Sequence, residues 1–358
     1  QKAPPHPDPG NHHHPQVTTN LKLIARDLDK ILHHYEKGNP EKLYTGRGPS
    51  TESMHVGHLL PFMFTKWMQE AFQCPLVIQI SDDEKYFYQK TDKKIKPLEY
   101  FRKIGVENCK DILALGFDPE LTFIFRNSDY VGTMYKNIVE FQRHITYNQI
   151  RGIFGLDSLN GSENSGKIAY PAIQGVPCLC TSFPHIFGEK KNGFCMVPAG
   201  VDQDPYFRMT RDIAHKLKFI KPGGIYSRFL PGLKGYNSKM SSSDETSAVF
   251  LTDTPKQIKK KINKYAFSGG RATAEEQREF GADLTVDVSY AYLKYFMEDD
   301  ERLRQIGEDY ASGKMLTGEV KKILIDELQK LVKSHQTRRS SITEEMVHQF
   351  MKIRPLFK

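Results

Sequence analysis

The chain has 358 residues and a mass of 41.1 kDa, which predicts two or three domains at roughly 150 residues each. Hydrophobic residues at 39%, with 22 Phe and 17 Tyr, suffice for a core and exclude a wholly disordered chain, and no apolar stretch approaches the ~18 residues of a membrane span. The formal charge of +8 points to polyanionic partners, and most of it lies in residues 1–243, which hold 31 Lys and Arg against 24 Asp and Glu, whereas residues 244–358 hold 20 against 19.

Residues 1–20 read as a tail without the charged start and apolar run of a secretory signal, which predicts an intracellular, cytoplasmic protein. Five cysteines with no C-x-x-C pair suit a reducing compartment, and Cys178 and Cys180 read as small core residues. His12, His13 and His14 read as a tag remnant or polar tail, so no metal site is expected. Ile24, Leu28, Ile31, Leu32 and Tyr35 follow helical spacing up to Gly38, predicting one amphipathic helix that completes an N-terminal segment 1–40.

A short strand is predicted over 42–45, then the loop GRGPSTESM and a helix over 55–72. PLVIQI at 75–80 has the continuous apolar character of a buried parallel strand. Helix, strand and helix follow over 97–115, 121–126 and 132–147, and strand and helix again over 194–200 and 203–219, while 151–193 and 222–243 read mostly as loop. This alternation predicts an α/β fold with a doubly wound parallel sheet, a Rossmann-like catalytic domain over 41–250, followed by an α-helical domain over 251–358.

Two short signals carry chemistry: His55-Val56-Gly57-His58 at a loop-to-helix turn, and Lys239-Met240-Ser241-Ser242-Ser243 at the end of the α/β region. Each alone carries the false-positive risk of any short pattern. Together they describe one anion site. His55 and His58 share a face of the first helical turn, whose free N–H groups attract an anion. Gly57 leaves room for a base or ribose, and Arg47 in the preceding loop has no evident structural job, so its guanidinium is free to fork a phosphate. Lys239, Ser241 and Ser243 suit charge that develops transiently at phosphate.

These motifs resemble the two signatures of class I aminoacyl-tRNA synthetases, and LYTGRGPS, DDEK, PAIQ, DQDPYFRMTRD and AFSGG resemble the eukaryotic-type tryptophanyl branch, from about residue 22 to the C-terminus. The resemblance implies activation of L-tryptophan by ATP, with Mg²⁺ carried by the nucleotide, then transfer to the 2′-hydroxyl of the terminal adenosine of tRNA(Trp). It assigns His55, His58, Lys239, Ser241 and Ser243 to catalysis, and Arg47, Gly57, His58, Gln203, Lys239, Met240 and Ser241 to ATP. It implies a homodimer, with an insertion over 86–170 serving the dimer and the acceptor arm. Lys85 to Lys103 in this region carry seven Lys or Arg against two acids.

Indole differs from phenyl and phenol chiefly by its size and its single N–H donor, so a selective pocket needs a buried acceptor aimed at that N–H. Tyr44 ends the first strand and Gln79 interrupts PLVIQI, where a polar group is costly unless paired; a core glutamine satisfied by backbone is the plain alternative. The resemblance assigns Tyr44, Gln79, Glu84, Lys85, Gln174, Gln203 and Phe207 to tryptophan, and places Ala199 where the family can carry a cysteine. Asp82 and Asp83 read as solvated carboxylates. Lys256, Lys259, Lys260, Lys261 and Lys264, with Arg271 of the SGGRAT loop, cluster at the start of the helical domain and suit tRNA phosphates. Competing readings are a tyrosyl-tRNA synthetase, a small-molecule adenylyltransferase and a non-catalytic RNA-binding or signalling relative; GRGPS, PAIQ and AFSGG argue against the first, KMSSS and the helical extension against the second, and the intact signatures against the third.

Overall fold

The structure, a computed structural model, describes residues 24–37, 41–89, 94–155, 163–238, 240–241 and 244–356. The described chain groups into two compact units, one within Leu23–Glu52, Met68–Arg228 and Ile342–Lys358 and the other within Ser53–Trp67 and Phe229–Ser341.

The first unit is built on six strands: β1 (Ile24–Arg26), β2 (Glu41–Arg47), β3 (Leu76–Ile80), β4 (Thr122–Arg126), β5 (Phe194–Gly200) and β6 (Gly223–Ser227). Their spatial order is β1-β6-β5-β2-β3-β4, parallel except for β1 against β6. The chain proceeds outward from β2 through β3 to β4, then returns to the other side of β2 for β5 and β6. That reversal makes the C-terminal ends of β2 and β5 a topological switch point, where open α/β sheets bind ligands. The helices that follow in chain order are α1 (Leu28–Glu36), α2 (Val56–Phe72), α3 (Asp82–Phe87), α4 (Leu98–Leu113), α5 (Asn127–His144), α6 (Tyr147–Phe154), α7 (Ser165–Gly175), α8 (Pro184–Phe187) and α9 (Asp204–Lys216).

Several elements depart from the sequence expectation. The helix expected from Leu21 starts only at Leu28; Asp27 takes a left-handed φ of 55°, and Ile24–Arg26 pair with β6 instead. The loop expected over 222–243 contains β6, a strand hidden by its two glycines. Sheet packing requires one of them, since a Cβ on Gly223 would lie 2.8 Å from the side chains of Met196 and Phe194. The loop expected over 151–193 contains the end of α6, then α7, two 3-10 turns (Val176–Cys178 and Cys180–Ser182) and α8. The Asn164 side chain accepts from Lys167 N at 3.2 Å and starts α7 despite the polar composition. The helix expected from Gly132 begins five residues earlier, at Asn127.

Lys42 ties this region to the sheet. Although a lysine, it is fully buried. Its Nζ donates to the Pro177 carbonyl at 2.7 Å and lies 4.7 Å from the centre of the Phe183 ring, so the ammonium holds the turn after α7 against β2. All five cysteines are free and buried.

The second unit is helical: the N-terminal part of α2, then α10 (Pro255–Tyr265), α11 (Ala274–Phe280), α12 (Val288–Phe296), α13 (Asp300–Ala311) and α14 (Thr317–Ser340). Thr254 and Gln257 form a capping box that starts α10. Buried Asp287 holds the AFSGG loop, accepting from Gly269 N at 2.9 Å and the Tyr310 hydroxyl at 2.8 Å. The last helix, α15 (Glu344–Met351), belongs to the first unit and packs on β4 and α4, covering the sheet edge. Arg354, just beyond it, donates to the Pro119 carbonyl.

Candidate active site

In the first unit, β2, β3, α7 and α9 bring the expected residues Tyr44, Gln79, Gln174 and Phe207 together, and Tyr44 stands in the middle of β2 rather than at its end. Tyr44 and Gln79 are both 2% exposed. The Tyr44 hydroxyl lies 2.5 Å from Gln79 Oε1 and 2.9 Å from the Gln174 carbonyl; its single proton serves one acceptor at a time. The Phe207 ring meets the Tyr44 ring edge-on at 5.9 Å. Gln174 Nε2 donates to Gln203 Oε1 at 2.6 Å, which extends the cluster to the turn before α9. Burial raises the Tyr44 and Tyr170 hydroxyls well above the usual phenol range, and the Glu84 charge adds to both. Both phenols therefore remain protonated donors at neutral pH.

Glu84 and Lys85 sit on α3, one turn past β3. Glu84 Oε2 accepts from Ser81 Oγ at 2.7 Å and Oε1 from Lys85 Nζ at 3.1 Å, so Lys85 is ion-paired to its neighbour rather than standing free. The same carboxylate acts on the hydroxyls of Tyr88, raised to about 12, and Tyr206, in each case behind burial as the main cause. Glu84 is thus the negative pole of a cluster of tyrosines. Ala199 is half-buried on β5, beside Tyr226 of β6.

Two expectations are corrected here. Asp82 is fully buried, not solvated: its carboxylate accepts from Ser128 N at 3.2 Å and from Ser128 Oγ. Asp83 is half-buried and accepts from Asn127 Nδ2 and Glu84 N, each at 2.8 Å. Arg47 has a structural partner after all, donating through Nε to Asn108 Oδ1 at 3.3 Å. Burial lowers its pKa to about 10, which leaves it charged, and its Nη2 is buried with no partner among the described residues. A buried guanidinium N–H is costly unless paired, and the planar guanidinium group suits an anionic oxygen.

The second unit holds both signature segments. Main-chain bonds from Val56 N to Val249 O at 3.0 Å and from Leu251 N to Met54 O at 2.9 Å pin the start of α2. The His55 and His58 rings stack at 3.5 Å, with the Phe250 ring edge-on to His55 at 6.1 Å. Gly57 lies against the other signature: a Cβ there would be 2.7 Å from Met240 Sδ and 3.2 Å from His55 Nδ1. Ser241 N donates to Ser247 Oγ at 2.9 Å, which anchors that segment. Lys239, Ser242 and Ser243 lie outside the described residues, as do His12, His13 and His14.

On α10, Lys256, Lys259, Lys260 and Lys264 are exposed, as is Arg271 beyond it, whose Nε donates to the Gly281 carbonyl at 3.1 Å. Lys261 turns inward to Asp253 at 2.7 Å and leaves the patch. Among the described residues no group of three or more His, Cys, Asp or Glu could hold a metal ion, and no helix is long and apolar enough to cross a membrane.

The reading by sequence missed Asn127, which is 1% exposed and accepts at Oδ1 from Gln79 Nε2 at 2.8 Å. Its one visible signal is a polar residue directly after the apolar run LTFIFR.

The pattern of the class I tRNA synthetases (W and Y) matches residues 36–333. The cytoplasmic tryptophan–tRNA ligase of Oryctolagus cuniculus is 52% identical over 350 residues, which cover 97% of this chain and 72% of that relative. A product-bound parasite tRNA synthetase superposes with a TM-score of 0.90 at 50% identity, covering 95% of this chain and 89% of the other. The Plasmodium falciparum tryptophanyl-tRNA synthetase does so with a TM-score of 0.88 at 48% identity, covering 95% and 90%.

Proposed function

We propose the function from one premise: this chain belongs to the class I tRNA synthetases of the tryptophan and tyrosine branch. It is a tryptophan–tRNA ligase, which activates L-tryptophan with ATP and transfers it to the 2′-hydroxyl of the terminal adenosine of tRNA(Trp). Like the relatives named cytoplasmic, it works in the cytoplasm. The observation that carries the indole substrate is the buried Tyr44–Gln79 pair, which offers an acceptor to an indole N–H, while the size of the ring separates it from a phenol.

In the first step the tryptophan carboxylate attacks the α-phosphorus, and the bond from that phosphorus to the bridging oxygen breaks, so that pyrophosphate departs. The substrate supplies the nucleophile, and the protein supplies position and charge. Tyr44, Gln79 and Phe207 hold the indole, Glu84 and Gln174 the ammonium, and Gln203 reaches from the amino acid to the nucleotide. Lys85 tempers the Glu84 charge through its ion pair. Arg47, whose Nη2 is buried without a partner among the described residues, contributes its charge to the phosphates. His55, Gly57 and His58 receive ATP at the start of α2, while Lys239, Met240, Ser241 and Ser243 stabilise the charge that moves onto pyrophosphate. Mg²⁺ enters as part of the ATP substrate.

Lys256, Lys259, Lys260, Lys264 and Arg271 meet tRNA phosphates in the helical region, which is the anticodon-binding part of our reading. The protein is a homodimer through the 86–170 region; Tyr135 and Val139, one turn apart on α5, are both exposed there. Pyrophosphate exchange into ATP with tryptophan, tyrosine or phenylalanine tests the function. Exchange is expected with tryptophan alone, and a response to tyrosine without tryptophan would overturn the reading.

A further inference from the structure

We infer that Asp83 and Asn127 act as positioning residues that fix the direction of the Gln79 amide, so that the pocket presents an acceptor and not a donor to the indole N–H. The inference rests on the functional reading above. An amide side chain has a donor end and an acceptor end of nearly equal shape, so something else must decide which end faces the ligand. An ionised carboxylate does so, because it only accepts.

The direction propagates through three bonds. Asp83 Oδ1 accepts from Asn127 Nδ2 at 2.8 Å, which turns Asn127 Oδ1 toward Gln79. Gln79 Nε2 then donates to Asn127 Oδ1 at 2.8 Å and, more weakly, to the Ile173 carbonyl at 3.3 Å. Gln79 Oε1 is left facing Tyr44, 2.5 Å from its hydroxyl, with a second lone pair for the substrate. Glu84 N donates to the same Asp83 oxygen at 2.8 Å and holds the carboxylate in line.

Topology makes the relay possible. Gln79 and Phe125 are paired residues on β3 and β4, and Asn127 is the first residue of α5, so the ends of two adjacent parallel strands bring both amides together. Asp83 comes from α3, immediately after β3. Gln79 and Asn127 are almost completely buried, so water does not offer the amides an alternative partner. Reversing Gln79 would set its amide N–H against the indole N–H, a mismatch equivalent to about ten- to a hundredfold in affinity.

Burial, then the adjacent Asp82 and Glu84 charges, raise the Asp83 carboxyl to about 6 against the hydrogen bonds that lower it. The groups around it are Asp82 and Glu84 on its own helix, Tyr170 on α7, and Arg102 on α4, which meets Asp82 through Ser128 and pairs with Asp129 of α5. At neutral pH the carboxylate is ionised and dictates the direction. Once protonated it gains a donor, and the amides lose their fixed sense.

The test compares tryptophan with β-(benzothiophen-3-yl)alanine, in which sulfur replaces the N–H, by pyrophosphate exchange with wild type, Asp83→Asn and Asn127→Ala. Asp83→Asn keeps shape and removes the acceptor-only character. The expected result is a rise of about tenfold in KM for tryptophan, with little change in kcat or in KM for the sulfur analogue. In wild type the tryptophan KM should also climb below about pH 6, and Asp83→Asn should flatten that climb. If Asp83→Asn fails to fold, Asn127→Ala carries the same comparison. Equal losses for both substrates, or unchanged discrimination in variants that fold, would overturn the relay alone. A wild-type enzyme that does not exchange with tryptophan would instead overturn the functional reading and the relay with it.

Discussion

The sharpest mechanical consequence of the structure concerns Gly57, the residue of the first signature that lies against Met240 of the second in the helical unit. In Gly57→Ala the new methyl would start 2.7 Å from Met240 Sδ and 3.2 Å from His55 Nδ1. An ordinary contact is roughly 3.5–4 Å, so about 1 Å of movement is required. The His55 ring has little room to retreat, because His58 stacks on it at 3.5 Å. Methionine is adaptable, yet Met240 is followed by Ser241, whose N–H is bonded to Ser247 Oγ at 2.9 Å. Overpacking costs about 1–3 kcal/mol, and replacing a helical glycine returns roughly 0.5–1 kcal/mol, so folding stability should fall by no more than about 2.5 kcal/mol. Catalysis is more sensitive, since a misplacement of about 1 Å in the site is able to cost on the order of a hundredfold. Thermal unfolding and ATP-dependent pyrophosphate exchange, measured on one preparation, separate the two effects. A well-folded Gly57→Ala enzyme with unchanged kcat and unchanged KM for ATP would refute the argument that these segments bind the nucleotide together.

Two further outcomes follow from buried charges. Arg47→Lys keeps the charge but cannot reproduce both the Asn108 bond and a second guanidinium nitrogen, so KM for ATP should rise about tenfold with KM for tryptophan little changed; equal changes in both constants would remove Arg47 from the nucleotide site. Asp83 has a folded pKa of about 6, above its ordinary 3.8, so the folded state holds this proton more tightly than the unfolded one. Its contribution to stability is complete below about pH 4 and is lost as pH rises through 6. The wild type should therefore lose stability relative to Asp83→Asn between pH 4 and 7, and the opposite slope in thermal unfolding would contradict the burial argument.

Much of this protein was legible along the chain, because the features involved are local. LVIQI announces a buried strand through its own apolar run, and HVGH and KMSSS bring their chemistry within four or five residues. Thr254 and Gln257 mark the start of α10 by a capping box that needs no distant partner. The class I family and its adenylating chemistry could be read at that level.

What the tertiary structure alone decided depends on residues far apart in sequence. Ile24–Arg26 have a helical pattern yet form a strand, because β6 offers them backbone partners some two hundred residues away. β6 itself reads as a glycine loop until Phe194 and Met196 press against Gly223. Asp82 and Asp83 look solvated in DDEK, and Ser128 and Asn127, forty-four or more residues later, bury and orient them. Local periodicity and caps are written in neighbouring residues, whereas strand order, the burial of a carboxylate and the direction of an amide are settled by packing between elements.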